Sequence, residues 1–302
     1  QPISEDDHLE IIGPVIVAGI TTGALYALAT LGLSLVWGSL GMLNMAHGTL
    51  LTLGGYAAFT AASQLGLPVP LAVLAAAAVG GVIGALIFTL VAYPLSRRSP
   101  ETFETTIMIA TFGVALTLEN TLLRLYGGQP LGQPLSVGGS INLGGFVLPW
   151  QNLVIIVSAI ALMGATALFL TRTRAGRAIR ATAQNPDAAK LMGVPVARVY
   201  LQVLILSGML AGVCGVLVSS ITQLSPSLGA DPMLKAFIMC VVAGLGNLPG
   251  AIITSFGLAI VEALVQFLAG ARWGFPALLA IVILVLIRRP GGLFGRVEVR
   301  RL

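Results

Sequence analysis

The chain consists mainly of long apolar stretches that are separated by short polar segments. Of its 302 residues, 57 % are hydrophobic and only 9 % are charged, which is typical of proteins that span a membrane. The apolar stretches are residues 11–38, 49–64, 69–93, 105–126, 146–170, 199–222, 233–246, 249–269 and 275–287. A helix needs about 20 apolar residues to cross the hydrocarbon layer. The sequence therefore predicts an all-α, polytopic integral membrane helical bundle with about nine (8–10) transmembrane helices.

Positive charges are concentrated in three places. Arg97–Arg98 follows the third apolar stretch, six cations lie in residues 172–198, and five arginines lie in residues 288–302. Because positively charged loops of membrane proteins stay in the cytoplasm, we expect all three clusters to be cytoplasmic. The acidic residues 1–10 and the uncharged stretch 127–145 are then periplasmic, which requires an odd number of crossings. The net charge of +5 reflects this orientation, and we expect no binding of nucleic acid.

Two further features predict a single packed domain. No linker rich in Ser, Pro or Gly divides the apolar stretches, so we expect residues 1–302 to form one membrane domain. Glycines at four-residue spacing allow helix backbones to approach closely in lipid. Such pairs are Gly19 and Gly23, Gly80 and Gly84, and Gly208 and Gly212.

The longest polar segment, residues 172–198, encodes a short helix of its own. Asn185 can cap this helix, Pro186 suits its first position, and Gly193 can end it in the left-handed conformation. The expected helix has about two turns and a length of roughly 10 Å, which is too short to be stable alone. We therefore expect packing to stabilise it, and its pattern indicates a docking surface for another protein.

Two segments interrupt the spanning pattern and are candidates for the translocation path or a gate. Residues 40–48 place Asn44 and His47 between apolar flanks, and residues 243–250 place three glycines and Asn247 between two apolar runs. Irregular backbone at membrane depth occurs where it lines a cavity or lies inside the protein. An ordinary interfacial turn is the alternative for each segment. The candidate residues are Asn44, His47, Gly48, Gly244, Gly246, Asn247 and, within the next apolar stretch, Glu262.

The sequence contains no pattern that would make this chain an enzyme. A nucleotide-binding P-loop requires a lysine directly after a glycine, and neither Lys190 nor Lys235 has one there. Cys214 and Cys240 lie in apolar stretches and have no histidine at a metal-ligand spacing, so they are interpreted as small apolar residues. We expect no catalytic residue, no metal site and no cofactor bound by this chain.

An ion-coupled secondary transporter or a channel is the alternative class. Ionisable residues inside a membrane are costly and often mark ion pathways, and the candidates are Glu119, Glu262, His47, Arg124 and Lys235. A loose ion pair near the interface is the expected explanation for Glu119 and Arg124. Glu262 either lines the path or is hydrogen-bonded as a structural residue, and His47 is expected to be a hydrogen-bonded packing residue.

Part of the central loop resembles a known transport motif. Asp187-Ala188-Ala189, followed after three residues by Gly193, resembles the Glu-Ala-Ala-x-x-x-Gly motif of ABC importer permeases. Here Asp replaces Glu, and the hydrophobic-proline ending expected after the motif is absent at residues 203–207. In that superfamily the motif forms the coupling helix that binds a cleft of the ATP-binding subunit.

Three larger blocks resemble the branched-chain amino acid ABC permease family. Residues 19–56 resemble the family's amino-terminal region, residues 176–199 its central cytoplasmic loop, and residues 243–262 its glycine-rich motif. The family's Asn-x-Ala-His-Gly element appears as Asn44, Ala46, His47 and Gly48. The resemblance covers nearly the whole chain, in three separated blocks in the expected order.

The resemblance implies a multi-pass inner-membrane subunit of a bacterial binding-protein-dependent ABC importer. Its implied partners are a second permease, identical or different, two subunits that bind ATP and Mg²⁺, a periplasmic substrate-binding protein and membrane lipid. The implied substrates are branched-chain amino acids, with urea, short-chain amides or aromatic acids as alternatives. The residues implied in coupling to the ATP-binding subunits are Arg177, Arg180, Asn185, Pro186, Asp187, Ala188, Ala189 and Gly193.

Overall fold

The computed structural model describes residues 5–98, 101–142 and 146–295, with side chains from Gly13 onward. Its first six α-helices are α1 (Glu5–Leu40), α2 (His47–Ser63), α3 (Val69–Ile87), α4 (Tyr93–Arg98), α5 (Phe103–Tyr126) and α6 (Trp150–Arg172). The next six are α7 (Arg174–Gln184), α8 (Pro186–Leu191), α9 (Val196–Ser219), α10 (Ala230–Ala243), α11 (Leu248–Ala269) and α12 (Gly274–Arg288). A π-helical turn, Phe88–Ala92, joins α3 to α4, and a 3-10 turn, Ala271–Trp273, precedes α12.

Each of the nine apolar stretches of the sequence contains a helix, and seven of them lie in described helices that are long and apolar enough to cross a membrane. The seven spans in the described residues are Gly13–Leu40, Val69–Arg98, Phe103–Tyr126, Trp150–Arg172, Val196–Ser219, Leu248–Ala269 and Ala271–Arg288. The two other helices, α2 with 17 residues and α10 with 14, are shorter. The expected count of nine crossings is therefore not confirmed, because α2 and α10 are not among the seven spans of the described residues.

The two ends of the chain are described in part. Residues 5–10 of the segment expected to be periplasmic form the first turns of α1, and residues 1–4 lie outside the described residues. Of the expected basic tail 288–302, residues 296–302 also lie outside them. A two-stranded antiparallel hairpin, β1 (Ser140–Asn142) and β2 (Val147–Pro149), leads into α6.

The core of the bundle is built around α1 and α9. These two spans have the largest buried share, whereas α5 and α12 have the smallest. α9 packs against α1, α2 and α3, and α11 packs along the opposite side of α1. Apolar burial cannot drive helix association in lipid, so close van der Waals packing must hold these helices together.

Glycines provide this close packing, as the sequence predicts. Gly80 and Gly208 contact each other through their backbones where α3 crosses α9, and Gly54 contacts Gly212 where α2 crosses α9. Gly19 lies against the backbone of Ile260 in α11. Because a Cβ atom at these glycines would meet the backbone of the neighbouring helix, larger side chains there would force the helices apart.

The structure brings the basic clusters to one end of the bundle. A buried cluster joins the carboxyl-terminal part of α1, the π-helical turn, the start of α5, the end of α6, α7 and the start of α9. The segment after α12 packs against the loop between α10 and α11, and that loop contacts Gly38 near the end of α1. Arg97, Arg172 and Arg288 thus lie at the same end, which we call the basic end.

Candidate functional site

The short helix expected in the central loop is present as α8, at the basic end. The Asn185 side-chain Oδ1 accepts a hydrogen bond from the backbone N–H of Ala188 at 2.9 Å, and Pro186 occupies the first helical position. Gly193 has φ of +81°, and its N–H donates to the carbonyl of Lys190 at 3.0 Å. The start and stop signals read from the sequence therefore act as expected.

The helix α7 connects α8 to the centre of the bundle. Its buried residues Ile179 and Thr182 are on the face that packs against α1, α6 and α9. Arg177 and Arg180 are exposed, and the Arg180 guanidinium donates a hydrogen bond to the carbonyl of Leu170 at the end of α6. This segment is therefore in direct contact with the two most buried spans, α1 and α9.

The surface of α8 is open to solvent in this chain. Ala189 is buried, and α8 contacts α7 and α9, whereas Asp187 and Ala188 are exposed. Leu191 and Met192 are 89 % and 84 % exposed, although both are large and apolar. An apolar tip beside a charged surface is typical of a contact site for another protein. Sequence reasoning missed these two residues, and the signal was an apolar pair inside an otherwise polar loop.

His47, a candidate for the translocation path, is fully buried inside the bundle. Its Nε2 lies 3.1 Å from the carbonyl oxygen of Ala29 in α1, and its Nδ1 lies 3.5 Å from the Ser207 Oγ in α9. The Ser207 hydroxyl in turn donates to the carbonyl of Gly32 at 2.9 Å. The imidazole thus joins the start of α2 to the two central spans, which favours the packing role expected for it.

Asn44 and Gly48 lie in the same interior region. The Asn44 Oδ1 accepts a hydrogen bond from the N–H of Ala46 at 3.1 Å and shapes the turn that enters α2. A Cβ atom added to Gly48 would come within 2.7 Å of the carbonyl oxygen of Gly229, just before α10. The segment therefore fixes where the short helices α2 and α10 begin within the bundle.

The glycine-rich segment forms the turn between α10 and α11 at the basic end. Gly244 and Gly246 have φ of +98° and +84°, backbone angles that residues other than glycine rarely adopt. The Asn247 Oδ1 accepts from the N–H of Gly250 at 2.9 Å and caps α11, and its Nδ2 donates to the carbonyl of Phe294 at 2.8 Å. One amide side chain thus joins the start of α11 to the segment after α12.

The same turn is packed on both sides. Gly246 lies against the backbone of Gly38 near the end of α1, and Gly244 lies against that of Gly295. The N–H of Leu293 donates to the carbonyl of Val242 at 2.7 Å. Four elements, α1, α10, α11 and the segment after α12, therefore meet at this turn.

Glu262 belongs to a network of charged groups within the bundle. The Lys235 Nζ lies 2.9 Å from Glu262 Oε1 and 3.1 Å from Asp231 Oδ2, and it donates to the Tyr26 hydroxyl at 2.9 Å. Gln266 Nε2 donates to Glu262 Oε1 at 3.1 Å. We call Asp231, Lys235, Glu262 and Tyr26 the charged cluster. It joins α1, α10 and α11 near the middle of the Gly13–Leu40 span.

The sequence identified only two members of this cluster. Lys235 and Glu262 were separate candidates, and their contact could not be read from positions in different helices. Asp231 and Tyr26 were missed, although the four-residue spacing of Asp231 and Lys235 is a signal for a pair on one helix face.

The expected ion pair of Glu119 and Arg124 is wrong. Both ion pairs that the structure records in the described residues involve Lys235. Residues five apart lie on different faces of a helix, so these two side chains do not meet. Among the described residues, no group of three His, Cys, Asp or Glu side chains is placed to hold a metal ion.

The family described as "Branched-chain amino acid transport system / permease component" matches residues 15–287. The chain belongs to this family. The match includes α8, the charged cluster and the glycine-rich turn, and it confirms the resemblance seen in the sequence.

Relatives within the family match over nearly the whole chain. The chain is 31 % identical to the high-affinity branched-chain amino acid transport system permease protein LivH of Escherichia coli, over 94 % of this chain and 95 % of that protein. It is 30 % identical to LivH of Salmonella typhimurium with the same coverage. It is also 30 % identical to the corresponding protein BraD of Pseudomonas aeruginosa, over 95 % of this chain and 96 % of that protein. The chain is thus a permease component and a multi-pass membrane protein.

Proposed function

We propose that this permease component translocates branched-chain amino acids as the membrane-spanning subunit of a binding-protein-dependent ABC importer. Its movement between outward and inward access is driven by separate ATP-binding subunits. The observation that carries the proposal is α8, a capped and exposed helix at the basic end of a chain from this permease family. The relatives that cover nearly the whole chain are named for branched-chain amino acids, so urea, short-chain amides and aromatic acids are not favoured.

The coupling step uses the surface of α8 and the rigid connection behind it. Asp187, Ala188 and the exposed tip of Leu191 and Met192 bind a cleft in the ATP-binding subunit. Arg177 and Arg180 are exposed on α7, the helix that precedes α8. Closure of the ATP-binding dimer pushes α8, and α7 passes the displacement to α1 and α9.

The assembly that this mechanism requires has several parts. The full importer contains a second permease subunit, two ATP-binding subunits, which hold ATP and Mg²⁺, and a periplasmic binding protein. The basic end faces the cytoplasm of the inner (plasma) membrane with the carboxyl terminus, and the amino terminus is periplasmic. This chain has no ATPase activity of its own.

The gate lies at the glycine-rich turn. Gly244, Gly246 and Asn247 connect α1, α10 and α11 with the segment after α12 at the end where α7 and α8 lie. Rotation of α1 during coupling therefore shifts this turn directly. Asn44, His47 and Gly48 hold α2 and α10 in register with α1 while the turn moves.

Substitutions on α8 test the coupling step. Replacing Ala188 by Glu or Gly193 by Lys should abolish ATP-dependent leucine uptake in proteoliposomes and weaken co-purification of the ATP-binding subunits. Ser96→Glu, on an exposed position of α4 at the same end, should leave both unchanged. If the α8 variants assemble and transport normally, the coupling assignment is wrong.

The ion-coupled alternative makes a different prediction. The Lys235 Nζ lies 2.9 Å from Glu262 Oε1 and balances its charge. Glu262 is therefore not a free carboxylate that could couple transport to protons or sodium ions. Uptake by this chain alone, driven by a proton or sodium gradient without ATP, would overturn the proposal. Competition between labelled leucine and unlabelled urea decides between the two substrate classes.

A further inference from the structure

The charged cluster has a buried half and an exposed half. The side chains of Lys235 and Glu262 are 10 % and 5 % exposed, whereas that of Asp231 is 66 % exposed. The Glu262 Oε2 accepts no hydrogen bond from any residue in the described part of the chain. With both carboxylates ionised, one lysine faces two negative charges, so the cluster has an excess negative charge that appears at the surface as Asp231.

The depth of Asp231 in the membrane makes its exposure informative. Lys235 bonds Tyr26, which is about 20 Å from either end of the Gly13–Leu40 span at 1.5 Å per residue. Asp231 bonds the same ammonium group, one helical turn away on α10. A carboxylate exposed to lipid at this depth is strongly unfavourable. The exposed face of α10 must therefore border water or another protein.

The segment before α10 also has a polar surface. Ser225 and Ser227, which lead into α10, line a groove of about 330 Å³ together with Glu119 and Asn120 of α5. Leu116, Leu123 and Pro226 form the apolar part of the same groove. α5 is among the least buried of the spans, and its side of the groove carries a carboxylate and an amide within the apolar span Phe103–Tyr126. The wall formed by α5 and the segment before α10 therefore suits an aqueous path and not lipid.

The charges on this wall and at the start of α10, which follows it in the chain, indicate which part of a substrate the region attracts. Asp231 and Glu119 are both acidic, and the one nearby lysine is already bound by two carboxylates. Arg124, on the next turn of α5, borders an adjoining groove. The α-ammonium group and the apolar side chain of an amino acid match a region that offers carboxylates beside leucines, because opposite charges attract the ammonium group while the apolar surface accepts the side chain.

We propose that Asp231 lines the translocation path and binds the α-ammonium group of the amino acid in mid-membrane. Lys235, held by Glu262 and Tyr26, is a positioning residue that keeps the Asp231 carboxylate at the surface of the path. This inference rests on the proposed function, since it takes an amino acid as the substrate. A contact between Asp231 and the second permease subunit is the competing outcome.

Accessibility in the assembled transporter is the first test. Asp231→Cys is made in a chain whose two native cysteines, Cys214 and Cys240, are replaced by Ala, and the complex is treated with a charged, membrane-impermeant thiosulfonate. We expect modification, at a rate that differs between the resting and vanadate-trapped complexes. Val82→Cys, 58 % exposed in the middle of the Val69–Arg98 span, is the lipid-facing control and should not react. No modification at position 231, or a cross-link from it to the second permease, would overturn the proposal.

Transport provides the second test. With saturating leucine-loaded binding protein, Asp231→Asn should lower the uptake rate roughly 10- to 100-fold, the size expected for losing a hydrogen bond between charged groups, while ATP hydrolysis by the complex persists. Asp231→Glu keeps the charge and should recover part of the rate, which a merely structural role would not produce. Unchanged uptake in Asp231→Asn refutes this proposal alone. Absence of leucine uptake by the unaltered transporter refutes the proposed function as well, even if position 231 is modified.

Discussion

The α7–α8 segment and the charged cluster are both polar breaks in an apolar chain, but they are built in opposite ways. The α8 helix is defined by residues within one short stretch, from the Asn185 cap to the left-handed Gly193, and most of its surface is exposed. The charged cluster joins residues that are up to 236 positions apart, Tyr26 in α1 and Glu262 in α11, and most of it is buried.

This difference determines what each region can do. A locally encoded helix needs only a small contact with the rest of its own chain, here through Ala189, so most of its surface is free to bind another protein. A buried charged network depends on every member, because a charge that loses its partner inside the bundle has no water to compensate it. Substitutions in the membrane interior should therefore affect folding, whereas those at α8 should affect coupling.

The largest expected effect is the loss of Lys235. Lys235→Met leaves the buried Glu262 carboxylate with only the Gln266 amide as its recorded partner, and breaking a buried ion pair in this way costs about 3–5 kcal/mol. Thermal unfolding in detergent should show a large drop in Tm. Glu262→Leu should be milder, since Lys235 keeps Asp231 and Tyr26.

A double variant tests the reason for this effect. Lys235→Met combined with Glu262→Leu removes both buried charges and should restore most of the stability. Glu101→Ala, an exposed carboxylate outside the helices, serves as the control and should leave Tm unchanged. A double variant as unstable as Lys235→Met alone would show that packing, and not charge pairing, explains the loss.

Glycine packing in the membrane interior gives the next largest effect. A Cβ atom at Gly208 would overlap the backbone of Gly80, so Gly208→Ala should separate α3 from α9 and cost about 1–3 kcal/mol. Gly164→Ala in α6 is the matched control, because nothing lies within 4 Å of its Cβ position. That change should be neutral or slightly stabilising, since alanine favours a helix. Equal Tm values for the two variants would contradict the packing of α3 on α9.

The contrast between α8 and the membrane interior also explains which parts of the structure could be predicted from the sequence. The bounds of α8 followed from Asn185, Pro186 and Gly193, because capping and left-handed glycine act over a few residues. The apolar stretches located nine helices, but not where the shorter α2 and α10 begin. The start of α2 is fixed by contacts such as that of His47 with Ala29. Long-range contacts of this kind have no local signature.

The contacts of the charged cluster also could not be predicted from the sequence. Glu262 and Lys235 are conspicuous in apolar stretches, yet nothing in their positions states that α10 and α11 bring them to 2.9 Å. The role of the Tyr26 hydroxyl could not be predicted either, because tyrosine is common in apolar stretches. Charge balance within a membrane bundle suggests that a buried carboxylate has a cationic partner, but only the fold identifies it.

The smallest expected effect on stability is at the cap of α8. Asn185→Ala removes the acceptor of the Ala188 N–H and should cost about 1 kcal/mol, confined to the helix that it caps. Hydrogen exchange should therefore accelerate in residues 186–192 while the Tm of the membrane domain stays unchanged. Asn185→Ser retains a capping oxygen and should restore most of the protection. If Asn185→Ala instead lowered the Tm as much as Gly208→Ala, the short helix would be an integral part of the membrane core, and the separation between a locally encoded docking helix and a cooperatively packed interior would be wrong.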